Sequence, residues 1–480
     1  MRFFPIRAFA FGCAGHFTFP ARVLTTAACL LALTSAAAAR QAAAPTPPSD
    51  TTVVQRVEEY LQAEMRVNGF SGTILLAHKG KPIVAKGYGL ANAEWDIPNT
   101  TRTKFRLGSI TKQFTSMAVL QLEQQGKLKV QDPICQHLTP CPDSWKAITI
   151  HHLLTHTSGI PSYTNSPSYV TTMMVPKTVE QMVAGFRDLP LEFEPGAQYK
   201  YNNSGYFLLG VLIEKITGHP YERVLREQIF TPLGMKDSGY DTSGRILPMR
   251  AAGYSRQGSE IVNAPFLDMV QPFSAGALYS TVEDLLKWDQ ALYTDELLPA
   301  AARSAMFTPF KGDYAYGWSV PTPSPQTFGR KQVAHGGGIN GFSTMIIRVT
   351  DDNITSIVLS NVQQAPSSRI ARDLLAILLG QPYRVAVART VAAVDPRVYD
   401  AYVGRYQLAP TFILTVTREG DRLMTQATGQ AKLEVFPESD TKFFLKVVDA
   451  QITFVRDERG TVTHLILHQG GKDQKAVRMP

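Results

Sequence analysis

The sequence lacks several features that mark particular classes of protein. No block rich in Lys and Arg occurs in the 480 residues, so we expect no nucleic-acid partner. No apolar run after residue 45 reaches 18 residues, which predicts no transmembrane helix beyond the start of the chain. The hydrophobic fraction is 44%, which excludes wholesale disorder and suffices for a large core.

The N-terminus has the order of features of an export signal. Residues 1–22 carry three arginines and no acid, and an apolar stretch follows over residues 23–33. The alanine-rich segment after it fits cleavage after Ala39. We therefore predict a signal peptide over 1–39 and a spacer over 40–50, which leaves a periplasmic or secreted protein without a stable membrane span. An uncleaved anchor is the alternative.

Cysteine is scarce, with four residues in the whole chain. Signal cleavage would remove two of them and leave Cys135 and Cys141, six positions apart in a loop flanked by prolines. In an exported protein this spacing suggests a disulfide, and two free thiols are the alternative. No zinc site is expected at residues 151–156, because their three histidines lack an HExxH pattern and nearby carboxylates.

Hydrophobic periodicity predicts an α/β domain over residues 51–380. Helical patterns occur at 53–65, 110–125 and 205–217, and strand patterns at 71–78, 82–89, 345–349 and 355–359. Thr281 and Asp284 have the spacing of a capping box before a further helical segment over 285–292. Strands at both ends with helices between them indicate helices flanking an antiparallel sheet. The helix at 110–125 is apolar on most sides, so we expect it to be buried.

The pattern changes near residue 394. Short alternating segments, separated by turn signals, then recur at 412–418, 422–426, 432–436, 442–447, 452–456 and 462–468. This spacing predicts an all-β module over 395–480, either a meander or a small barrel, joined by a linker over 381–394.

The strongest chemical signal is Ser109-Ile110-Thr111-Lys112, which opens the predicted buried helix. A serine at a helix N-terminus can use its own N–H and the positive helix end to hold an oxyanion. Lys112 lies one turn away on the same face. Burial favours its neutral form, which can accept the serine proton. Serine needs such a partner because its free hydroxyl is a poor nucleophile.

Short motifs of this kind are weak evidence on their own, because similar ones recur in the chain. Ser439 to Lys442 repeats the serine–lysine spacing, Tyr163-Thr164-Asn165 resembles Tyr201-Asn202-Asn203, and residues 78–80 and 468–470 resemble His335-Gly336-Gly337. Context separates them. Five longer segments occur in the order FRLGSITKQFTSMAVLQLEQQGKL, ITIHHLLTHTSGIPSY, YNNSGYFLLGVLIEKITG, SAGALYSTVEDLLKW and HGGGINGFS.

Together these segments resemble the serine beta-lactamase and penicillin-binding-protein-like superfamily. The resemblance covers roughly residues 55–380 and is specific to the branch of class C beta-lactamases, D-aminopeptidases, DD-peptidases and esterases. It implies a beta-lactamase/transpeptidase-like antiparallel sheet flanked by helices. The C-terminal region resembles the small β-barrel that some members of this branch append.

The resemblance implies four catalytic side chains: Ser109, Lys112, Tyr201 and His335. Ser109 would be the acylated nucleophile, and Lys112 would activate it. Tyr201 would share the proton transfers, by passing a proton to the leaving group or by activating the deacylating water.

Further residues would bind substrate or complete the site. Asn203 would bind the substrate's amide side chain, and His335 would be a polar or cationic partner where many members have lysine. The N–H groups of Ser109 and Gly338 would form the oxyanion hole, and Gly337 beside it would also contact substrate. Two departures, His335 for lysine and Gly336 for a hydroxyl residue, argue against efficient β-lactam hydrolysis.

We therefore expect an exported serine hydrolase that acts through an acyl-enzyme, with no metal or organic cofactor. Its substrates would be D-amino-acid peptides, esters or other small cell-wall-derived molecules, with weak β-lactam hydrolysis also open. The alternative is a catalytically silent protein that binds cell-wall peptides. The sequence does not predict the oligomeric state.

Other polar and aromatic residues have structural explanations. His156 and Ser158 are expected to stabilise a loop, and Trp288 to lie in the core. The aromatic residues of segment 314–318 either line a substrate cleft or pack internally.

Overall fold

The computed structural model describes residues 48–479 except 259, 447–449 and 470–471. The predicted signal peptide and most of the spacer lie outside the described residues. The α-helices of the described part are α1 Asp50–Asn68, α2 Thr111–Gln124, α3 Ile150–Leu154, α4 Tyr169–Thr172, α5 Val179–Arg187, α6 Asn203–Thr217, α7 Tyr221–Leu225, α8 Phe273–Gly276, α9 Val282–Ala291, α10 Ala300–Met306 and α11 Ser367–Leu378. Over these residues, no helix combines the length and apolarity needed to cross a membrane.

The strands divide between a sheet domain and a C-terminal barrel. Those of the first part are β1 Gly72–His78, β2 Lys81–Tyr88, β3 Leu90–Asn92, β4 Ile97–Pro98, β5 Phe105–Arg106, β6 Gly239–Tyr240, β7 Tyr254–Gln257, β8 Glu260–Asn263, β9 Leu278–Ser280, β10 Gln332–Ile339, β11 Phe342–Val349 and β12 Ile354–Ser360. Those of the barrel are β13 Gly404–Ala409, β14 Phe412–Glu419, β15 Arg422–Ala427, β16 Leu433–Pro437, β17 Lys442–Phe444, β18 Ala450–Arg456, β19 Val462–Gln469 and β20 Lys472–Arg478.

A five-stranded antiparallel sheet in the order β10-β11-β12-β1-β2 organises the first part. β1 pairs with β12 from Gly72 opposite Ser360 to His78 opposite Ile354, so segments nearly 300 residues apart share one sheet. Successive β1 side chains alternate between two cores, as strand geometry requires. α1 and α11 pack on one face, and α2 and α9 on the other. The predicted antiparallel sheet flanked by helices is confirmed.

Helix α2 carries the strongest motif and is buried on nearly every side, as predicted. Eleven of its fourteen residues are buried, so its position is fixed by packing around its whole circumference. The Phe114 ring lies 4.3 Å from that of Trp288. Trp288 is fully buried and donates its indole N–H to Gln113 Oε1 at 2.9 Å, which confirms it as a core residue.

The C-terminal region is a closed barrel of eight antiparallel strands, β13 to β20 in order. The sequence patterns missed β13 and β20, and the pairing of these two strands closes the barrel. Tyr402, Tyr406 and Phe454 are part of an interior core, in which the Tyr402 and Phe454 rings stack at 4.1 Å. Residues 381–395 form no helix or strand.

Candidate active site

Ser109 lies in a single 3-10 turn, Gly108–Ile110, that leads directly into α2. Gly108 has φ +55°, a left-handed conformation that favours glycine. A Cβ atom added there would lie 3.0 Å from Gly338 N, so the turn packs directly against β10. Gly337 is closer still, since its added Cβ would lie 1.9 Å from Leu107 O. The two glycines therefore allow the backbone around Ser109 to approach the strand.

The ammonium or amine group of Lys112 contacts three oxygens. Nζ lies 3.0 Å from Ser109 Oγ, 2.9 Å from Asn203 Oδ1 and 2.8 Å from Ala275 O. The side chain is fully buried, and no described carboxylate forms an ion pair with it. Burial holds the pKa of Lys112 well below its usual value.

This arrangement suits a neutral base. The Asn203 amide oxygen and the Ala275 carbonyl can only accept, so they take two of the Lys112 N–H groups. The third substituent direction of Lys112 Nζ points at Ser109 Oγ. In the neutral amine that direction is a lone pair, which can receive the serine proton.

Tyr201 lies beside this pair, just before α6. Its ring centroid is 4.8 Å from Lys112 Nζ. Desolvation of the hydroxyl raises the pKa of Tyr201, and an interaction with the Ser109 hydroxyl offsets part of that rise. The phenol is therefore protonated at neutral pH, although 36% of the residue's surface is exposed.

The His156 ring packs against the Tyr201 ring. The two rings lie 4.3 Å apart, and His156 Nδ1 accepts the Asn202 N–H at 3.1 Å. Burial, with a further contribution from the charge of Lys112, holds the pKa of His156 well below its usual value. The His156 imidazole is therefore neutral and packs beside Tyr201 without adding a charge. Ser158 Oγ accepts the Ile160 N–H at 3.3 Å. Both residues stabilise their loop as predicted, but the link from His156 to the site was not anticipated.

His335 is a buried neutral imidazole on β10. Nδ1 lies 2.6 Å from Gly336 O, and because a carbonyl only accepts, Nδ1 carries the proton. Nε2 then accepts from the Tyr314 hydroxyl at 2.8 Å. Burial, reinforced by Lys112, lowers the pKa of His335 to about 4. Of the two roles expected for His335, the structure favours the polar partner over the cationic one.

Asn203 is the first residue of α6 and orients Lys112. Its Oδ1 accepts from Lys112, and its Nδ2 donates to Thr164 Oγ1 at 3.0 Å. The preceding Asn202 caps α6 by accepting from Gly205 N, which is why the helix begins two residues earlier than predicted. Thr164 belongs to a segment whose sequence looked like a spurious copy of the 201–203 motif.

An open cleft of about 260 Å³ gives access to the nucleophile. Its lining includes Ser109, Tyr163, Thr164, Asn203, Ala275 and Gly338. A Cβ added at Gly338 would meet nothing within 4 Å, so this glycine leaves space in the cleft. Tyr314, Tyr316 and Trp318 are buried and do not line the cleft, so they pack internally.

The structure brings together the predicted site residues Ser109, Lys112, Tyr201, Asn203, His335 and Gly338. Gly337, which was predicted to contact substrate, packs instead against Leu107 O and is not among the residues that line the cleft. Besides the link from His156, three contributors were not anticipated: the Ala275 carbonyl, the Thr164 hydroxyl and the Tyr314 hydroxyl. The second serine–lysine pair is a turn, because Ser439 Oγ accepts the Lys442 backbone N–H at 3.1 Å. Cys135 and Cys141 form a disulfide with their Cα atoms 5.4 Å apart. Among the described residues, no group of three or more His, Cys, Asp or Glu side chains could hold a metal ion.

A serine with a buried lysine at the start of a buried helix, facing a strand of an antiparallel sheet, defines a serine hydrolase of the beta-lactamase-related, peptidase–esterase type. The beta-lactamase family model matches residues 54–381, and the chain belongs to this family. A second model, described as a domain of unknown function (DUF3471), matches residues 388–478.

Individual relatives extend the similarity over most of the chain. Penicillin-binding protein 4* of Bacillus subtilis is 33% identical over 443 residues, covering 85% of this chain and 95% of the relative. The octameric penicillin-binding protein homologue from Pyrococcus abyssi has a TM-score of 0.64 at 26% identity, covering 88% and 99% of the two chains. A D-stereospecific amidohydrolase from Streptomyces sp. has a TM-score of 0.57 at 25% identity, covering 70% and 100%.

Proposed function

We propose that the protein is an exported hydrolase that cleaves amide or ester bonds through an acyl-enzyme on Ser109. The observation that carries the proposal is the contact between Ser109 Oγ and Lys112 Nζ at 3.0 Å, in a site where Lys112 is fully buried. A lysine in this environment is a base rather than a fixed cation.

The proton of Ser109 passes to Lys112 as Oγ attacks the substrate carbonyl. The new Oγ–C bond places negative charge on the carbonyl oxygen, and the N–H groups of Ser109 and Gly338 would hold it. The protonated Tyr201 hydroxyl donates to the leaving group as the C–N or C–O bond breaks, and the Lys112 proton restores it. Water then attacks the acyl group with the same residues acting in reverse.

We infer that the substrates belong to the D-amino-acid peptide and ester classes. The relatives named as penicillin-binding proteins and as a D-stereospecific amidohydrolase support this class. β-Lactam hydrolysis would be weak, because the neutral His335 and the side chain-free Gly336 offer neither a cation nor a hydroxyl to a β-lactam carboxylate.

The test is covalent labelling with a fluorophosphonate, read as intact mass. The wild-type protein should gain one adduct, and Ser109→Ala should gain none. Ser439→Ala is the matched control, since Ser439 has the same spacing to a lysine but lies in a turn, and it should label normally. An adduct on Ser109→Ala would refute the assignment.

Turnover of p-nitrophenyl esters and D-alanyl peptides tests the proton carriers. Lys112→Ala and Tyr201→Phe should each lower kcat by about 10²–10⁴-fold, the usual contribution of a positioned acid or base. Near-normal turnover in either variant would place the base elsewhere. An unlabelled wild-type protein that still bound D-alanyl peptides would instead be the catalytically silent binder.

Export to the periplasm or the medium forms part of the same proposal. The signal-like residues 1–39 and the Cys135–Cys141 disulfide support it. Cell fractionation with N-terminal mass analysis tests it, and a cytoplasmic protein retaining residue 1 would contradict it.

A further inference from the structure

A second cleft lies beside the active-site cleft. Its volume is about 190 Å³, and it shares Leu267 and Asn340 with the lining of the first. Asn340 Nδ2 donates to Pro265 O at 2.9 Å and so ties the wall of the second cleft to the β10–β11 turn. The two clefts are therefore adjacent. We call the second one the arginine cleft, after Arg106 and Arg250 in its lining.

The charge of the arginine cleft is unbalanced. Arg106 Nε and Arg250 Nη1 each bind a different oxygen of Asp241 at 2.7 Å, and Asp241 is only 1% exposed. Two guanidinium groups thus share one carboxylate, and the residues described as lining the cleft include no acid. Within the described part of the chain, the other N–H groups of the two side chains have no partner.

Asp241 also holds the two guanidinium groups in place. The side chains are 15% and 29% exposed, so they reach the cleft while their salt bridges fix their orientation. An incoming anion would meet donors that are already ordered, which lowers the entropy cost of binding. Guanidinium groups bind carboxylates with strong, charge-assisted hydrogen bonds.

The arginine cleft adjoins the cleft that Ser109 lines, so a long acyl chain attached at Ser109 would extend towards it. Arg106 is three residues before Ser109, so their Cα atoms are at most about 11 Å apart. The remaining lining includes Ala251, Phe266 and Phe342, an apolar surface suited to an aliphatic chain.

We propose that the arginine cleft binds a carboxylate on the acyl part of the substrate, so that the preferred acyl donors are anionic. This inference rests on the proposed function, because it assumes that the acyl group is held on Ser109. It assigns the site a substrate class: acyl chains whose free carboxylate lies several bonds from the carbonyl under attack.

The experiment compares p-nitrophenyl esters of adipic, suberic and sebacic acid, each with its other carboxyl free or methylated. At the best chain length, kcat/KM for the free acid should exceed that for the methyl ester by about tenfold or more, as expected for hydrogen bonds to a charged group. Arg250→Gln should remove that preference and change turnover of the methyl ester by less than about twofold. Added salt should also weaken the preference.

Arg245→Gln is the matched control. Arg245 pairs with Glu222 and lines neither cleft, so its loss should leave both substrates unaffected. Equal kcat/KM for free acid and methyl ester in the wild type would overturn the inference while leaving the hydrolase intact. An equal loss on both substrates in Arg250→Gln would overturn it as well.

A readout without turnover separates this inference from the proposed function. Calorimetric binding of suberic acid monoamide to Ser109→Ala should be detectable and should be lost when Arg250→Gln is added. If no ester is hydrolysed and Ser109 does not label, the proposed function fails, yet this binding would still support the arginine cleft. Absence of binding would overturn the cleft's role.

Discussion

The neighbouring glycines of β10 give a sharp test of how the site is assembled. In Gly337→Ala the new Cβ would lie 1.9 Å from Leu107 O and 2.4 Å from Thr344 Oγ1. Leu107 O already accepts the Thr344 hydroxyl at 2.7 Å, so the two oxygens that the Cβ would meet are hydrogen-bonded to each other. The gap between β10 and the Leu107 backbone must therefore open by about 1.5 Å to reach normal contact.

That displacement acts on the nucleophile, because Ser109 follows Leu107 by two residues. A misplacement of about 1 Å in a catalytic group costs about 10²-fold in rate. Overpacking at a buried position should also lower the free energy of unfolding by about 1–3 kcal/mol. Gly338→Ala is the matched variant, since its Cβ meets nothing within 4 Å, and its stability should stay within about 0.5 kcal/mol of wild type.

The assays are kcat/KM on p-nitrophenyl acetate and urea denaturation of both variants. Gly337→Ala should lose both activity and stability, whereas Gly338→Ala should keep its stability and turn over this small acyl group. Wild-type activity in Gly337→Ala, or equal destabilisation of the two variants, would refute the proposed contact between β10 and the turn before Ser109.

Three further predictions follow from the site and the domain arrangement. Burial lowers the pKa of His335 to about 4 against about 6.5 when unfolded, so the unfolded state binds more protons between these values. The free energy of unfolding should therefore decrease as the pH is lowered from about 6.5 to about 4, by about 3 kcal/mol for this group. Denaturation curves of wild type and His335→Gln that shift in parallel with pH would contradict this. Cys135 and Cys141 should resist alkylation until reduced, and reduction should cost roughly 2 kcal/mol by loop closure; mass spectrometry showing alkylation of unreduced protein would disprove it. A chain ending at Gln381 should still label with fluorophosphonate, because every residue lining the cleft precedes it; a folded but unlabelled truncation would mean that the barrel completes the site.

The sequence predicted the parts of the site that local pattern encodes. Ser109 and Lys112 stand out because they open a helix that is apolar on most sides, and a buried helix fixes where their side chains point. The Ala275 carbonyl and the Tyr314 hydroxyl could not be predicted in this way. A backbone carbonyl has no residue signature, and the contact between Lys112 and Ala275 spans 163 positions of chain.

A predicted capping box shows how tertiary contacts override a local motif. Thr281 caps α9 as expected, by accepting the Asp284 N–H at 3.2 Å. The reciprocal half is not formed, because the buried Asp284 carboxylate accepts from Asp237 N and Ser238 Oγ, both at 2.8 Å. Two donors from another segment thus displace the bond that the motif predicts.

The barrel strands that were missed have a common physical cause. In β13 only Tyr406 is buried, and among the described side chains of β20 only Ala476 is. A strand with one buried position shows no clear alternation of apolar and polar residues. Both strands are instead held by backbone hydrogen bonds, to each other and to β14 and β19. This pairing closes the barrel and removes both sheet edges.

The electrostatics of the site favour catalysis by fixed dipoles. Around Ser109, burial depresses the pKa of Lys112 and of His335 and raises the pKa of Tyr201, so each of these groups is biased towards its neutral form. In the proposed mechanism, Lys112 gains the Ser109 proton while negative charge develops on the substrate oxyanion. The backbone N–H groups that we propose as oxyanion donors lie beside the closely packed Gly108 and Gly337, so they would need little reorganisation to meet that charge. Arg106 and Arg250, in contrast, are permanently charged and lie in the neighbouring cleft. In the proposed function, binding of an anionic acyl chain there would leave the protonation of Lys112 and Tyr201 unchanged.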